Sequence, residues 1–364
     1  MIPHDPSRRQ INPRQLVRAS GPGALWSLLV RHGYVPPDDV FGDLLQALFG
    51  HEPLLIEGIR GGGKTALVDT LAKACNLDQY GVSGREGITA EELLYSWDKV
   101  EQRDYMADAR ARGIDVPEAR AHKWTKEFLL LGEFLAAYEA AATAECPPLL
   151  FMDEIDKVGP AIEDMLLQPL ANGVMYVPRL RPSGFVGTHD QAKWPVVISA
   201  SNNLRHKLSA PFRSRHIYSF IETPDNRKEV LILLSHVGDG SLEILKTVVK
   251  LLDAVRALGG LDDPPAIRES VRLLKALIRD GVTELTEEVL VAYLGHVVKS
   301  KGDRDYLLEN LNYVVRFANA DNEIFDAYVE GAVMERARML EVSEEYMPEG
   351  ELVEEEAAWS SAAR

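Results

Sequence analysis

The chain has 364 residues, 46% hydrophobic and 26% charged, which allows two domains or three at roughly 100–200 residues each and excludes a wholly disordered, collagenous or membrane-embedded protein. Its 40 Lys and Arg against 56 Asp and Glu leave a net charge of −16, which argues against a generic polyanion binder and makes nucleic acid an unexpected partner. Cys75 and Cys146 show no C-x-x-C spacing, no apolar run approaches the ~18 residues of a membrane span, and Met1 to Arg9 lack the apolar core of a signal peptide, so a cytoplasmic protein without a membrane partner is expected.

In chain order, residues 1–37 are rich in Pro, Gly and Arg and read as an N-terminal arm, with one apolar stretch at Leu25 to Val30. From Asp38 to Leu48, Val40, Phe41, Leu44, Leu45 and Leu48 recur at helical spacing behind an acidic pair suited to a helix start. An apolar burst at Pro53 to Ile56, a glycine-rich turn and a helical stretch from Thr65 to Cys75 follow, a strand–loop–helix order. Bursts at Leu149 to Met152 and Val196 to Ser199 lack polar alternation, as expected of parallel strands covered on both faces. Glu127 to Ala142 and Ala161 to Ala171 read as helices, and Val174 to Lys193 as a projecting hairpin. After Pro224 the pattern is helical, with segments at Asn226–His236, Leu242–Leu258, Ala266–Ile278, Thr286–Val298 and Tyr306–Phe317. The expected organisation is an arm (1–37), an α/β domain with a parallel sheet (38–222), an all-helical domain (223–345) and an acidic tail (346–364). Glu341 to Arg364 hold eight glutamates and one arginine, almost half the net charge.

The segment Gly58-Ile59-Arg60-Gly61-Gly62-Gly63-Lys64-Thr65 matches G-x-x-x-x-G-K-[ST] between a strand and a helix, the context a P-loop needs. Glycines let such a loop curl its N–H groups around phosphate oxygens, Lys64 reaches the β- and γ-phosphates, and the Thr65 hydroxyl can ligate Mg²⁺. The set expected to cradle the phosphates is Gly58, Gly61, Gly62, Gly63, Lys64, Thr65 and Ala66. Leu149 to Glu154 is an apolar strand ending in two acids; Asp153 suits the magnesium shell, and Glu154 the orientation or deprotonation of a water. Val196 to Asn203 again ends in polar side chains, of which Asn202 is the candidate for the γ-phosphate or its water. Arg213 and Arg215 follow on a loop with no carboxylate nearby in sequence, a setting that suits phosphate contacts. For Arg179 and Arg181 in the hairpin, solvated arginines and a substrate-touching loop both fit. His51, His206, His216 and His236 show no ligand spacing, and no hydrolase elbow or zinc motif occurs.

The ordered set GIRGGGKT, LLFMDE, SASN and RSR, followed by a helical segment, resembles an AAA+ ATPase over residues 38–318. Pro265 to Ser270, with Leu273, Leu274, Val282 and Thr283, is similar to the lid signature of the MoxR branch, and Leu93 to Asp98 to a segment of its carbon-monoxide-dehydrogenase-maturation relatives. Ile59-Arg60 and Asn203 depart from that branch's pattern. The resemblance implies ATP and Mg²⁺ as cofactors, Asp153 on magnesium, Glu154 on the catalytic water, Asn202 as first sensor and Arg268 as second sensor from the lid. Arg215 would be the finger entering a neighbour's site, with Arg213 its competitor. It further implies a homo-oligomeric ring, a hexamer, that remodels a client protein, one carrying a von Willebrand factor A domain among the options; a nucleic-acid translocase is the alternative. The gap of 89 residues from Lys64 to Asp153 leaves room for an insertion near Glu101 to Lys126.

Overall fold

The computed structural model describes residues 1–202, 207–238 and 241–344; Asn203, His206 and the acidic tail lie outside them. The chain divides into two compact units, one of residues 1–15, 42–57 and 71–220, the other of 16–41, 58–70 and the chain from 221 onward.

The strands are β1 (Leu54–Gly58), β2 (Gln79–Ser83), β3 (Tyr95–Trp97), β4 (Leu129–Leu131), β5 (Leu149–Asp153), β6 (Val174–Tyr176), β7 (Phe185–Gly187), β8 (Val196–Ser201) and β9 (Ile217–Ile221). Five form one sheet in the order β2-β5-β8-β1-β9, and the three pairings from β2 to β1 are parallel. The central strands are the apolar bursts: all six residues of β8 are buried, because helices cover both faces of a parallel sheet. Phe134, Leu135 and Tyr138 of the helix Glu133–Thr143 and Leu166 and Leu170 of Pro160–Asn172 pack with Leu55, Leu150, Met152 and Val197 in one core.

One expectation changes here. The stretch from Glu127 is not one helix: a turn at Lys126–Phe128 leads into β4, which pairs antiparallel with β3, and the helix begins only at Glu133. Gly132 sets the break, since a Cβ there would stand 2.4 Å from the Glu92 carbonyl oxygen. The insertion is helical, at Lys99–Ala111 and Val116–His122. The hairpin forms from β6 and β7 with Tyr176 opposite Phe185. Its Arg179 lies over the Trp124 ring at 4.8 Å, and the Arg181 N–H donates to the Trp124 carbonyl at 2.8 Å, so the hairpin is tied to the insertion and Arg179 is not simply solvated.

The stretch read as an arm is built into the fold. Ile2 bridges Gln79 beside β2, and the Met1 ammonium pairs with Glu133 at 2.8 Å. Asn76, buried and at φ 50, accepts from the Asp5 N–H at 2.8 Å and donates to the carbonyls of Asp5 and Arg8. Further along, Leu25, Leu28, Leu29 and Val30 are buried on the helix Pro22–Arg31.

In the second unit, helices Asn226–Val237, Leu242–Ala257, Ile267–Arg279, Glu287–Val297, Lys301–Glu309, Leu311–Asn319 and Glu323–Glu344 surround a core that joins Val30 and Val35 to Leu234, Leu252, Leu274 and Val314. The stretch expected as one helix from Tyr306 to Phe317 breaks at Asn310, whose side-chain amide donates back to the Tyr306 carbonyl.

Asn76→Ala is expected to lower stability by about 2–3 kcal/mol, as for a buried residue making several backbone bonds, in urea unfolding, and to open residues 1–8 to proteolysis. Unchanged unfolding and cleavage would show that the strap adds nothing.

Candidate functional site

The loop after β1 owes its shape to glycines. Gly58, Gly61 and Gly63 sit at φ 152, 76 and 97, values that side-chain-bearing residues rarely adopt. A Cβ on Gly58 would stand 2.5 Å from the Ile221 carbonyl oxygen, and one on Gly62 3.2 Å from that of Ile59. Tyr34 comes within 3.4 Å of where a Cβ on Gly63 would lie, and burial pushes its phenol well above the usual range. Lys64 is buried, its ammonium donating to the carbonyls of Gly58 at 2.7 Å and Ile59 at 2.9 Å. The helix Lys64–Cys75 starts here, and its first intrahelical bond runs from the Leu67 N–H to Gly63. The amides of Lys64, Thr65 and Ala66 therefore lie at the positive end of a helix, an arrangement suited to phosphate.

In the first unit, parallel strands bring their carboxyl ends to one edge, where ligands of α/β sheets bind. Glu57 is in register with Ser201, and Ser83 with Asp153, so Asp153 and Asn202, which follows Ser201, both stand at that edge. Glu154 has left-handed backbone at φ 51 and ψ 39, a conformation costing on the order of 1–3 kcal/mol and concentrated at functional sites. Its N–H donates to Asp153 Oδ1 at 2.9 Å, and its carboxylate pairs with the Lys157 ammonium at 2.6 Å. Gly84 lies against this turn: a Cβ there would sit 2.1 Å from the Glu154 carbonyl oxygen. Asn202 is half-buried, its N–H donating to the buried Asp156 at 3.3 Å, which links the strand ends of β5 and β8.

The arginine turn is anchored from the same unit. Glu163, 1% exposed, accepts from the Ser209 N–H at 3.0 Å, and the Ser209 hydroxyl accepts from the Phe212 N–H. His216 Nδ1 lies 2.8 Å from the Phe212 carbonyl and its Nε2 2.9 Å from the Ser199 hydroxyl. Burial, with a lesser push from Arg215, lowers the His216 imidazole to about 4, so at neutral pH it donates from Nδ1 and accepts from Ser199. Arg213 and Arg215 leave this turn differently. The Arg213 charge reaches the Tyr218 phenol, which donates to Glu57 at 3.1 Å; burial and the Glu57 charge raise that phenol and Arg213 opposes them. Arg215 Nη1 donates to the Pro211 carbonyl at 2.7 Å, and among the described residues Arg215 forms no ion pair.

In the second unit Arg268 is exposed at the start of the helix Ile267–Arg279. Its Cβ and that of Ala266 lie 3.4 and 3.2 Å from the Cβ position of Gly61, which places this candidate against the phosphate loop. Glu229 holds it there. Fully buried, it takes Arg256 bidentately at 2.7 and 2.8 Å and accepts from the Ser270 hydroxyl. Arg256 Nε donates to Pro265 at 2.9 Å, and Glu269 accepts from the Ala266 N–H. Gly84, Asp156, Glu163 and Glu229 have no motif of their own; only the apolar settings of Glu163 and Glu229 within helical patterns signal buried roles.

Among the described residues no cluster of three or more His, Cys, Asp or Glu could hold a metal, and no helix is long and apolar enough to cross a membrane. Residues 53–216 match the family model of the AAA domain, dynein-related subfamily; the match spans β1, the phosphate loop, the Asp153–Glu154 pair and the arginine turn. No curated protein matches the chain. The fold is thus that of an α/β P-loop ATPase followed by a helical region, with the AAA-domain match confined to residues 53–216.

Removing one partner of a buried ion pair leaves the other charge uncompensated. Glu229→Ala is therefore expected to cost about 3–5 kcal/mol in urea unfolding, and an unaltered midpoint would contradict the anchoring role. The lowered His216 value gives a second expectation. Its stabilisation is full above the unfolded value of about 6.5 and is lost as pH falls from there toward about 4. The pH dependence of unfolding between 7 and 4 should flatten in His216→Gln; identical slopes would contradict it.

Proposed function

We propose that the chain is an ATP hydrolase that works as a homo-oligomeric ring, a hexamer, and uses ATP turnover to remodel or activate a partner protein complex in the manner of the MoxR chaperones. The observation that carries the reading is the glycine-shaped loop closed around the buried Lys64 ammonium at a helix N-terminus, followed by the acid pair at the end of β5. In this reading residues 38–222 are the ATPase domain and 223–345 its lid, in a cytoplasmic protein.

The roles follow from the chemistry of each group. Lys64 and the amides from Gly61 to Ala66 offset phosphate charge, and Gly58 lets the loop leave β1. Thr65 and Asp153 offer hard oxygen donors, the set magnesium prefers with phosphates and water completing its shell; when bound, the ion neutralises charge on the phosphates. Glu154 orients the attacking water and takes its proton, and Asn202 holds that water or the γ-phosphate. Arg268 approaches from the lid side of the loop. Arg215 extends to a neighbouring copy, with Arg213 its competitor, since among the described residues neither arginine makes an ion pair. A finger acting on the next subunit needs a head-to-tail contact, which closes into a ring when the rotation permits. A client with a von Willebrand factor A domain fits the MoxR resemblance alone.

Lys64→Ala is expected to abolish ATP binding by calorimetry, whereas Glu154→Gln should bind ATP and turn it over about 10²–10⁴-fold more slowly, the usual worth of a general base. Equal ATP affinities for wild type and Lys64→Ala would refute the phosphate site. Arg215→Ala should lose roughly 10³-fold in turnover. Mixed with Glu154→Gln, it should regain part, because an interface joining intact Glu154 to an intact neighbouring Arg215 is rebuilt. Mixtures that co-assemble and stay inactive would place the role of Arg215 within its own subunit.

A further inference from the structure

The helix Ile267–Arg279 carries Arg272, Lys275 and Arg279 at intervals of three and four residues, on one exposed face. The turn between Glu287–Val297 and Lys301–Glu309 adds exposed Lys299, Lys301 and Arg304. These cations line two adjoining clefts of about 510 and 280 Å³ that share Gly295 and Lys299. Asp280 pairs with Arg279 at 2.8 Å, and Glu269 stands 3.8 Å from Lys299. Among the described residues Arg272, Lys275, Lys301 and Arg304 have no ion pair. A run of unpaired cations around one concave surface is unexpected in a chain of net charge −16, and it fits an extended anionic ligand.

We propose that this basic cleft is the docking site of the chain's own acidic C-terminal segment, residues 345–364. That segment holds six glutamates and one arginine. It follows the helix Glu323–Glu344 of the same unit, and its 20 residues can reach roughly 65–70 Å when extended. Tethering gives it an effective concentration on the order of millimolar. A free polyanion must compete with that and must approach a body of like charge. The ligand is thus an acidic peptide, with glutamates spaced along it to meet cations spaced along the cleft. The contact is solvent-exposed and screened by salt. Docking covers the cations, and displacing the segment would present them to another anionic partner.

Carbodiimide cross-linking of the full-length protein, read by mass spectrometry, tests this. At about 0.05 M salt, where screening is weak, Glu349, Glu351 and Glu354 to Glu356 should link to Lys275, Lys299 or Lys301, and the links should fade at about 0.5 M. Arg272→Glu with Arg304→Glu keeps all three lysines and should still remove the links. Glutamine at the five named glutamates changes none of the described residues and should raise affinity for a short fluorescent DNA duplex about tenfold or more by uncovering the cleft. Links from the segment to other lysines only, or none, would overturn the proposal. So would a duplex that binds the unaltered chain as tightly as the glutamine variant, which would make the cleft a nucleic-acid surface.

Discussion

The phosphate loop can have the shape it has only because no side chain stands at its glycines. At Gly58 a Cβ would meet the Ile221 carbonyl oxygen at 2.5 Å, and at Gly61 it would press on Ala266 and Arg268 while the backbone stays left-handed. These constraints have a common effect: the loop carbonyls of Gly58 and Ile59 turn toward Lys64, and the amides that follow turn outward at the start of a helix. A single methyl group would disturb that arrangement and with it every role assigned to the loop. The same economy appears at Gly84, where the missing side chain lets a neighbouring strand end approach the strained turn at Glu154.

Around these approaches, buried polar groups act as fixings rather than reagents. Glu229 and Arg256 fasten Pro265 and Ser270, and so hold the start of the helix that presents Arg268. Glu163 and the neutral His216 do the same for the arginine turn, and Asp156 for the backbone of Asn202. Each pair would be costly to half-remove, because an unpartnered buried charge or dipole loses its hydration without compensation. Glu154, Arg215 and Arg268, proposed above for roles in turnover, instead keep partial or full exposure.

Much of this was legible in the residues because the motifs sit where local patterns change. β5 and β8 are uninterrupted apolar bursts, and the phosphate loop is flagged by its glycines. β2 and β9 escaped notice because at the edges of the sheet their burial alternates, with Tyr218 and Phe220 exposed. Leu129 to Leu131 read as helix because a short apolar run has no period of its own; its partner β3 and the crowded Gly132 decide the matter. Residues 1–15, within the stretch 1–37 that reads as an N-terminal arm, give no local sign of their partners Asn76, Asp78 and Glu133, which are distant in sequence. For Glu229 and Glu163 the sequence offers only an apolar setting, for the same reason: a buried carboxylate is recognised by its partner, and Arg256 and Ser209 lie 27 and 46 residues away.

The proposed function requires that Lys64 and Thr65 act on the same nucleotide as Asp153 and Glu154. The most direct measurement is an experimental structure of the full chain with Mg²⁺ and a non-hydrolysable ATP analogue. The account predicts Lys64 Nζ within hydrogen-bond distance of the β- and γ-phosphates, the Thr65 hydroxyl and Asp153 around the ion, and Glu154 facing the γ-phosphate. A nucleotide bound elsewhere, with Lys64 still donating to the carbonyls of Gly58 and Ile59, would contradict it.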